Sequence, residues 1–292
     1  MPESVDDLLA ILDLERIEDT LYRGDSPQTE RQRTFGGQVA AQALAASDHT
    51  VDDDFAVHSL HSYFLRPGDP TVPIVYDVDD LRDGRSFVTR RVAARQHGKE
   101  IYFSTLNYQR EQDGWSHQDA MPQVPGPEEC PSLADLMGAR SPEAAEAWAK
   151  EWSALDMRLA GSSVSIPGVP DLQDDEHPGR QRMWIRVAGD LPDEPKLHRA
   201  AFTFASDLSL LSVTLLPHGV SIGSRRVKPA SLDHSIWFHR PMRADRWWLY
   251  DQVSPSAQGG RGLAIGRVFA EDGTLLASVA QEGMIRRVDP AG

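Results

Sequence analysis

Apolar residues gather at Leu8, Leu9, Ile11, Leu12 and Leu14 ahead of the charged run Glu15 to Asp19, which predicts an opening amphipathic helix. A turn-rich stretch follows, and then the segment Thr34 to Ala46, crowded with alanine and leucine. A helix that is small and apolar on most faces suits a deeply buried position. The period then changes to two. Val57 to Leu65, Pro73 to Leu81, Ser86 to Gln96 and Glu100 to Gln109 read as strands, separated by Arg66-Pro67-Gly68-Asp69, Arg82-Asp83-Gly84 and His97-Gly98-Lys99. The pattern predicts one helix followed by an antiparallel meander.

From about Glu111 to Arg180 the chain is polar and Pro-rich, with a helix expected between Ser141 and Met157, and it reads as a long connection packed on the outside. Beyond it the first pattern returns. Arg182 to Val187 is strand-like, a helix is predicted near Leu197 to Leu216, and strands follow around Ala230 to Phe238, Trp247 to Val253, Gly262 to Ala270 and Leu275 to Gln281. Phe35-Gly36-Gly37-Gln38 falls on Phe204-Ala205-Ser206-Asp207, the run from His61 to Pro67 on that from His234 to Pro241, Arg91-Val92 on Arg267-Val268, and Gln109 on Gln281. A near-constant shift of roughly 170 residues across four landmarks indicates a tandem duplication. The expected units are residues 1–110, a connecting segment 111–180, and residues 181–292. One helix wrapped by an antiparallel sheet, repeated in tandem, implies an α+β double hotdog: one extended antiparallel sheet around two central helices.

Composition narrows the class of function. With 40% hydrophobic and 25% charged residues in 292, the chain can build a real core, which excludes a disordered or coiled-coil protein. A net charge of −14 makes nucleic acid an unsuitable partner, and any anionic ligand must find a local basic patch. The single cysteine, Cys130, can form neither an intrachain disulfide nor a zinc cluster. The start MPESVDDLLAILDLERI lacks a basic secretory n-region, no apolar stretch of about 20 residues is read elsewhere, and the ending RRVDPAG carries no peroxisomal or prenylation signal. The expectation is a cytoplasmic protein that is its own mature form, without a membrane span, a metal or a cofactor.

Several segments together resemble the acyl-CoA thioesterase II family: Phe35-Gly36-Gly37-Gln38, His58 to Gly68, Leu81 to Phe87, Ala205-Ser206-Asp207-Leu208, Leu232-Asp233-His234-Ser235 and Gln281-Glu282-Gly283. The likeness runs in order through nearly the whole chain. It implies hydrolysis of fatty acyl-CoA to a free fatty acid and coenzyme A, with an Asp, a Thr or Ser, and a Gln holding water. Those roles fall on Asp207, Ser231 and Gln281. The resemblance also implies association into a homo-oligomer, a dimer or a tetramer, and exposed strand edges give a physical reason to pair.

The residues taken by themselves fit those roles. Asp207 is expected at the start of the second buried helix, where free backbone amides favour a carboxylate and a developing oxyanion. Ser231 and Gln281 each donate and accept, as holding a water against a thioester carbonyl requires. In the first half the corresponding positions read as Gln38, roughly His58, and Gln109, so the acid is missing and one hydrolytic centre per chain is expected. The first half would supply a tunnel wall, with Gly36, Gly37 and His61 as candidates for oxyanion or substrate contacts. Arg225, Arg226 and Lys228, clustered just before Ser231, are candidates for the coenzyme A phosphates.

Competing patterns weigh less. Gly219-Val220-Ser221-Ile222-Gly223 matches a serine-hydrolase elbow but lacks the strand before it and the helix after it. Asp53 and His58 have the spacing of hotdog enoyl-CoA hydratases, although Asp53 lies in an acidic turn. His58 with His61 offers no third metal ligand. Gly260-Arg261-Gly262 opens no helix and so makes no dinucleotide site. A non-catalytic acyl-CoA binding module is the remaining alternative.

Overall fold

A computed structural model of the chain describes residues 1–27, 29, 32–172 and 177–288. It begins with α1 (Val5–Leu12), capped by the Ser4 hydroxyl, and two four-residue strands, β1 (Glu15–Glu18) and β2 (Leu21–Gly24). Next come α2 (Gly36–Asp48), β3 (Phe55–Phe64), β4 (Ile74–Asp83), β5 (Phe87–Gln96) and β6 (Lys99–Arg110). The connection holds α3 (Leu133–Gly138), α4 (Pro142–Trp152) and β7 (Leu155–Ser162). The remainder is β8 (Gly179–Val187), α5 (Pro195–Leu210) running on into a 3₁₀ helix (Leu211–His218), β9 (Val227–Ser231), β10 (Asp233–Phe238), β11 (Trp248–Gln258), β12 (Arg261–Ala270) and β13 (Leu275–Arg287).

These strands form one open antiparallel sheet in the order β1-β2-β4-β5-β6-β3-β10-β13-β12-β11-β8-β7, with β9 also on β13. Read outward from the central β3–β10 pair, both halves follow the same path. The double-hotdog expectation holds: α2 and α5 lie against the inner face and against each other. Alanines make this possible. Ala40, Ala41, Ala43 and Ala46 on α2, and Ala200, Ala201 and Ala205 on α5, are all buried, and short side chains let a helix sit close to a sheet and to its neighbour. The polar core residue Gln42 is fully satisfied: its amide donates to the carbonyls of Ile11 and Asp25 and accepts from the Tyr76 hydroxyl.

Three local expectations change. The helix expected from Ser141 to Met157 stops at Trp152, and Leu155–Ser162 is an edge strand paired with β8. Its burial alternates at Leu155, Met157 and Leu159, a period of two too short to stand out beside the helix. Strands β1 and β2 went unread because β1 is exposed throughout and has no apolar alternation. Finally, Pro195–His218 is long and apolar enough to cross a membrane, with 78% of the relevant window buried inside the protein. Its Lys196, His198, Arg199 and Asp207 hid that length in the sequence.

The two central helices run antiparallel, so the first turn of each meets the last turn of the other. A Cβ on Gly37 would run into the carbonyl oxygen of Phe204, and one on Gly36 would lie 2.7 Å from Asp207 Oδ2. At the other end of the pair, Lys196 Nζ donates to the carbonyl of Asp48 at 3.0 Å. Asp48 is the last residue of α2 and is buried, with neither carboxylate oxygen hydrogen-bonded among the described residues. Burial pushes its pKa up to about 6, against the pull of Arg199.

Two expectations follow for stability. Gly37→Ala should force the helices apart and cost about 1–3 kcal/mol in urea unfolding. Asp48 releases its proton near pH 3.8 when unfolded and near 6 when folded, so its ionisation erodes stability as the pH rises between those values. Asp48→Asn should therefore raise unfolding free energy at pH 7 by about 3 kcal/mol, with the advantage vanishing below pH 4.

Candidate active site

Asp207 sits in the last turns of α5, not at its start. The expected helix-start amides do exist beside it, but they belong to α2. Its first residue, Gly36, faces Asp207 across the helix pair, with Gly37 beside it against the Phe204 carbonyl, and the first N–H groups of a helix have no partner within it. Position 36 must be glycine for this approach, since a Cβ would also come within 3.0 Å of the Phe64 ring. The helical run continues beyond Asp207 to His218, so its own helix supplies no free amides at this point. The positive end of α2 favours the carboxylate instead.

Ser231 and Gln281 come from the sheet beneath. Ser231 is the last residue of β9, opposite Gly283 of β13, and Leu232 breaks the strand before β10 resumes the pairing. Leu232 is held on both sides, donating to the Glu282 carbonyl and accepting from the Phe64 amide. Gln281 lies on the inner face of β13 and is 0% exposed. Its Nε2 donates to Asp207 Oδ1 at 2.5 Å and to Ser231 Oγ at 2.7 Å, while Ser231 Oγ donates to the same Oδ1 at 3.3 Å. The three side chains close a triangle on Oδ1. The second oxygen of Asp207, Oδ2, is thereby turned toward Gly36.

The walls are aromatic and polar. Burial pushes the Tyr102 phenol up to about 12, with the Asp207 charge adding to it, and Tyr250 is raised well above its usual value for the same two reasons. The Tyr250 hydroxyl donates to the Ser206 carbonyl. His234 is 0% exposed, and burial lowers its pKa while Asp207 opposes the shift. None of Tyr102, Tyr250 and Asp48 was singled out from sequence. Only a helix count could have found Asp48: it and Asp207 both stand twelve residues after the first residue of their helices, Gly36 and Pro195.

That count corrects the repeat comparison. Gln38 is not the counterpart of Asp207; it lies in the first turn of α2, donating to Asp25 O and Ser26 Oγ. The first half keeps an acid, Asp48, and lacks the rest of the arrangement. Pro195, with no N–H, begins α5 where Gly36 begins α2. Nor are His61 and His234 equivalent. His61 is exposed on the outer face, bonded to Ser235 Oγ and edge-on to Trp237, so it does not join Asp207, whereas His234 points inward.

Arg225, Arg226 and Lys228 are exposed at the entry to β9. Lys228 stands three residues before Ser231 on the same strand, about 10 Å away along an extended chain. The hydratase pair is not assembled: Asp53 is an exposed partner of Lys196, and His58 bonds to Asn107. Ser221 lies in a turn after Gly219, whose φ of 60° ends the 3₁₀ helix, so no elbow forms. Among the described residues no cluster of three or more potential ligands could hold a metal.

Known proteins share this architecture and much of this sequence. A family model described as acyl-CoA thioesterase matches residues 168–284, and one described as acyl-CoA thioesterase N-terminal domain matches residues 25–108. Acyl-CoA thioesterase 2 of Haemophilus influenzae is 35% identical over 289 residues, 98% of this chain and 99% of its own. Human acyl-coenzyme A thioesterase 8 is 40% identical over 288 residues, 94% of this chain and 88% of its own. The crystal structure of an acyl-CoA thioesterase II from Mycobacterium marinum, 42% identical, matches with a TM-score of 0.81 over 96% of this chain and 98% of that one. With relatives this similar along both lengths, and a site that brings an acid, a hydroxyl and an amide to a helix start, the chain belongs to the acyl-CoA thioesterase family.

Proposed function

We propose that this thioesterase hydrolyses fatty acyl-CoA with water held by Asp207, Ser231 and Gln281. The triangle on Asp207 Oδ1 carries the reading, because it fixes the carboxylate and leaves Oδ2 facing the α2 start. Water attacks the thioester carbonyl and gives a proton to Oδ2. The carbonyl becomes a tetrahedral oxyanion stabilised by the Gly36 and Gly37 amides. Its collapse breaks the C–S bond, the thiolate of coenzyme A recovers the proton from Asp207, and a free fatty acid remains. Ser231 and Gln281 orient the water and keep the carboxylate in place.

The exposed Arg225, Arg226 and Lys228 would hold the coenzyme A phosphates at the mouth. The chain would associate into a homo-oligomer through its outer sheet face, where Tyr63 and Trp237 are exposed near the central seam. A buried, unpaired cysteine and an acidic surface suit the cytosol. The matched strand orders support two repeats, the second of which would take in β7, from Leu155, and the start of β8, Gly179, so that its boundary lies before the expected residue 181.

The test is thiol release from acyl-CoAs of increasing chain length. Asp207→Asn, still folded by circular dichroism, should lose nearly all turnover. Ser231→Ala and Gln281→Ala should each lower kcat by about 10²–10³ with little change in KM. An Asp207→Asn variant as active as the parent would overturn the assignment, and binding without thiol release by the parent would favour a binding module.

A further inference from the structure

His234 lies in the middle of a polar row that crosses four neighbouring strands on the inner face. Ser104 of β6 pairs with Ser62 of β3, and Ser62 pairs with His234 of β10. Across the next ladder Ser235 pairs with Ala280, which puts His234 beside Gln281 of β13. The row is tied together at its centre, where Ser62 Oγ donates to the His234 carbonyl at 2.7 Å. It ends on the amide that holds Asp207 and Ser231.

The two ends of the imidazole have different surroundings. Nε2 lies 2.8 Å from Ser206 Oγ, in α5, one residue before Asp207. Nδ1 is buried, as is Gln281 Oε1, and among the described residues neither has a hydrogen-bond partner, which leaves a potential donor and an acceptor unsatisfied on neighbouring strands. Burial lowers the pKa of the ring overall, while the charges of Asp207 and Asp233 and, least, the Gln281 amide pull the other way. Both N–H bonds of Gln281 are already used, one on Asp207 and one on Ser231. The amide can therefore offer His234 only its oxygen, and an oxygen needs a donor.

We infer that His234 is a positioning residue, whose protonated Nδ1 donates to Gln281 Oε1 and so locks the amide with its N–H groups toward Asp207 and Ser231. Without that donor, only the contact with Asp207 distinguishes the two ends of the amide, and its oxygen is left buried and unpaired. A flipped Gln281 would set its oxygen against Asp207 Oδ1 and open the triangle. The Nε2 side can be served in two ways. Either the Ser206 hydroxyl, which lies 2.9 Å from the Thr203 carbonyl, turns its proton to Nε2, or the ring carries both protons and Asp207 balances the charge. Nδ1 bears a proton in both. The role rests on the proposed assignment of Asp207, Ser231 and Gln281.

Two substitutions separate the ends of the ring. In His234→Asn the side-chain amide reaches the Nδ1 position and can donate to Gln281, whereas in His234→Gln it reaches toward Ser206 and leaves Gln281 Oε1 unpaired. The expected result is a kcat within about threefold of the parent for His234→Asn and a fall of about tenfold or more for His234→Gln, with KM unchanged in both. A purely structural histidine would show no such split, and equal kcat values for the two variants would overturn the inference. Nitrogen-15 NMR of the histidine-labelled parent, with His234→Gln used for assignment, reads the ring directly. A protonated Nδ1 supports the inference, and an unprotonated one overturns it even if a variant fails to fold. Asp207→Asn in the same assay keeps the two readings apart: its full activity would remove the site assignment, whereas an inactive Asp207→Asn beside a fully active His234→Gln would remove only the role of His234.

Discussion

The close antiparallel crossing of α2 and α5 is the constraint on which the rest depends. Gly37 touches the backbone of Phe204, and Gly36 lets a carboxylate of the other helix approach its own first turn. Two helices any further apart would leave Asp207 without the positive end of α2 beside it. The sheet wraps this pair, and its inner-face residues reach the crossing from below. Packing density and electrostatics are the same fact here, since the small residues that allow contact also set the field at the acid.

Much of this was legible from the alternation of periods. Helix-then-meander, stated twice, gave the double hotdog, and most strand limits shifted by only a residue or two. The failures share a cause. A motif comparison slides freely along a helix, so Phe35-Gly36-Gly37-Gln38 could be laid on Phe204-Ala205-Ser206-Asp207 although the two segments occupy opposite ends of their helices. Likewise, a shift of an odd number of residues between His61 and His234 crossed from the outer face of the sheet to the inner. The resemblance to a known family points to Asp207, Ser231 and Gln281. Gly36 and Gly37 are already expected from sequence as contributions of the first half; only backbone position shows that Asp207 meets Gly36 from the last turns of α5, and that Asp48 stands at the matching count of α2.

The two acids show how one arrangement supports two outcomes. Asp207 receives hydrogen bonds from Ser231 and Gln281, and its other oxygen faces Gly36 at the start of α2. Asp48 meets the Tyr108 phenol, Arg199 at a distance, and a helix that starts with proline. One carboxylate is organised around its charge, and the other is held where charge is costly. The difference lies in a handful of partners on an otherwise repeated frame.

The continuous hydrogen bonding of β3 to β10 has a consequence for how such a chain can change. Because the acid comes from one half and the amides facing it from the other, neither half is a module that can be exchanged alone. A recombinant joining the first half of one relative to the second half of another inherits a mismatched helix crossing as well as a mismatched seam. Inheritance of function in this architecture therefore favours point changes in both halves together over shuffling of whole repeats.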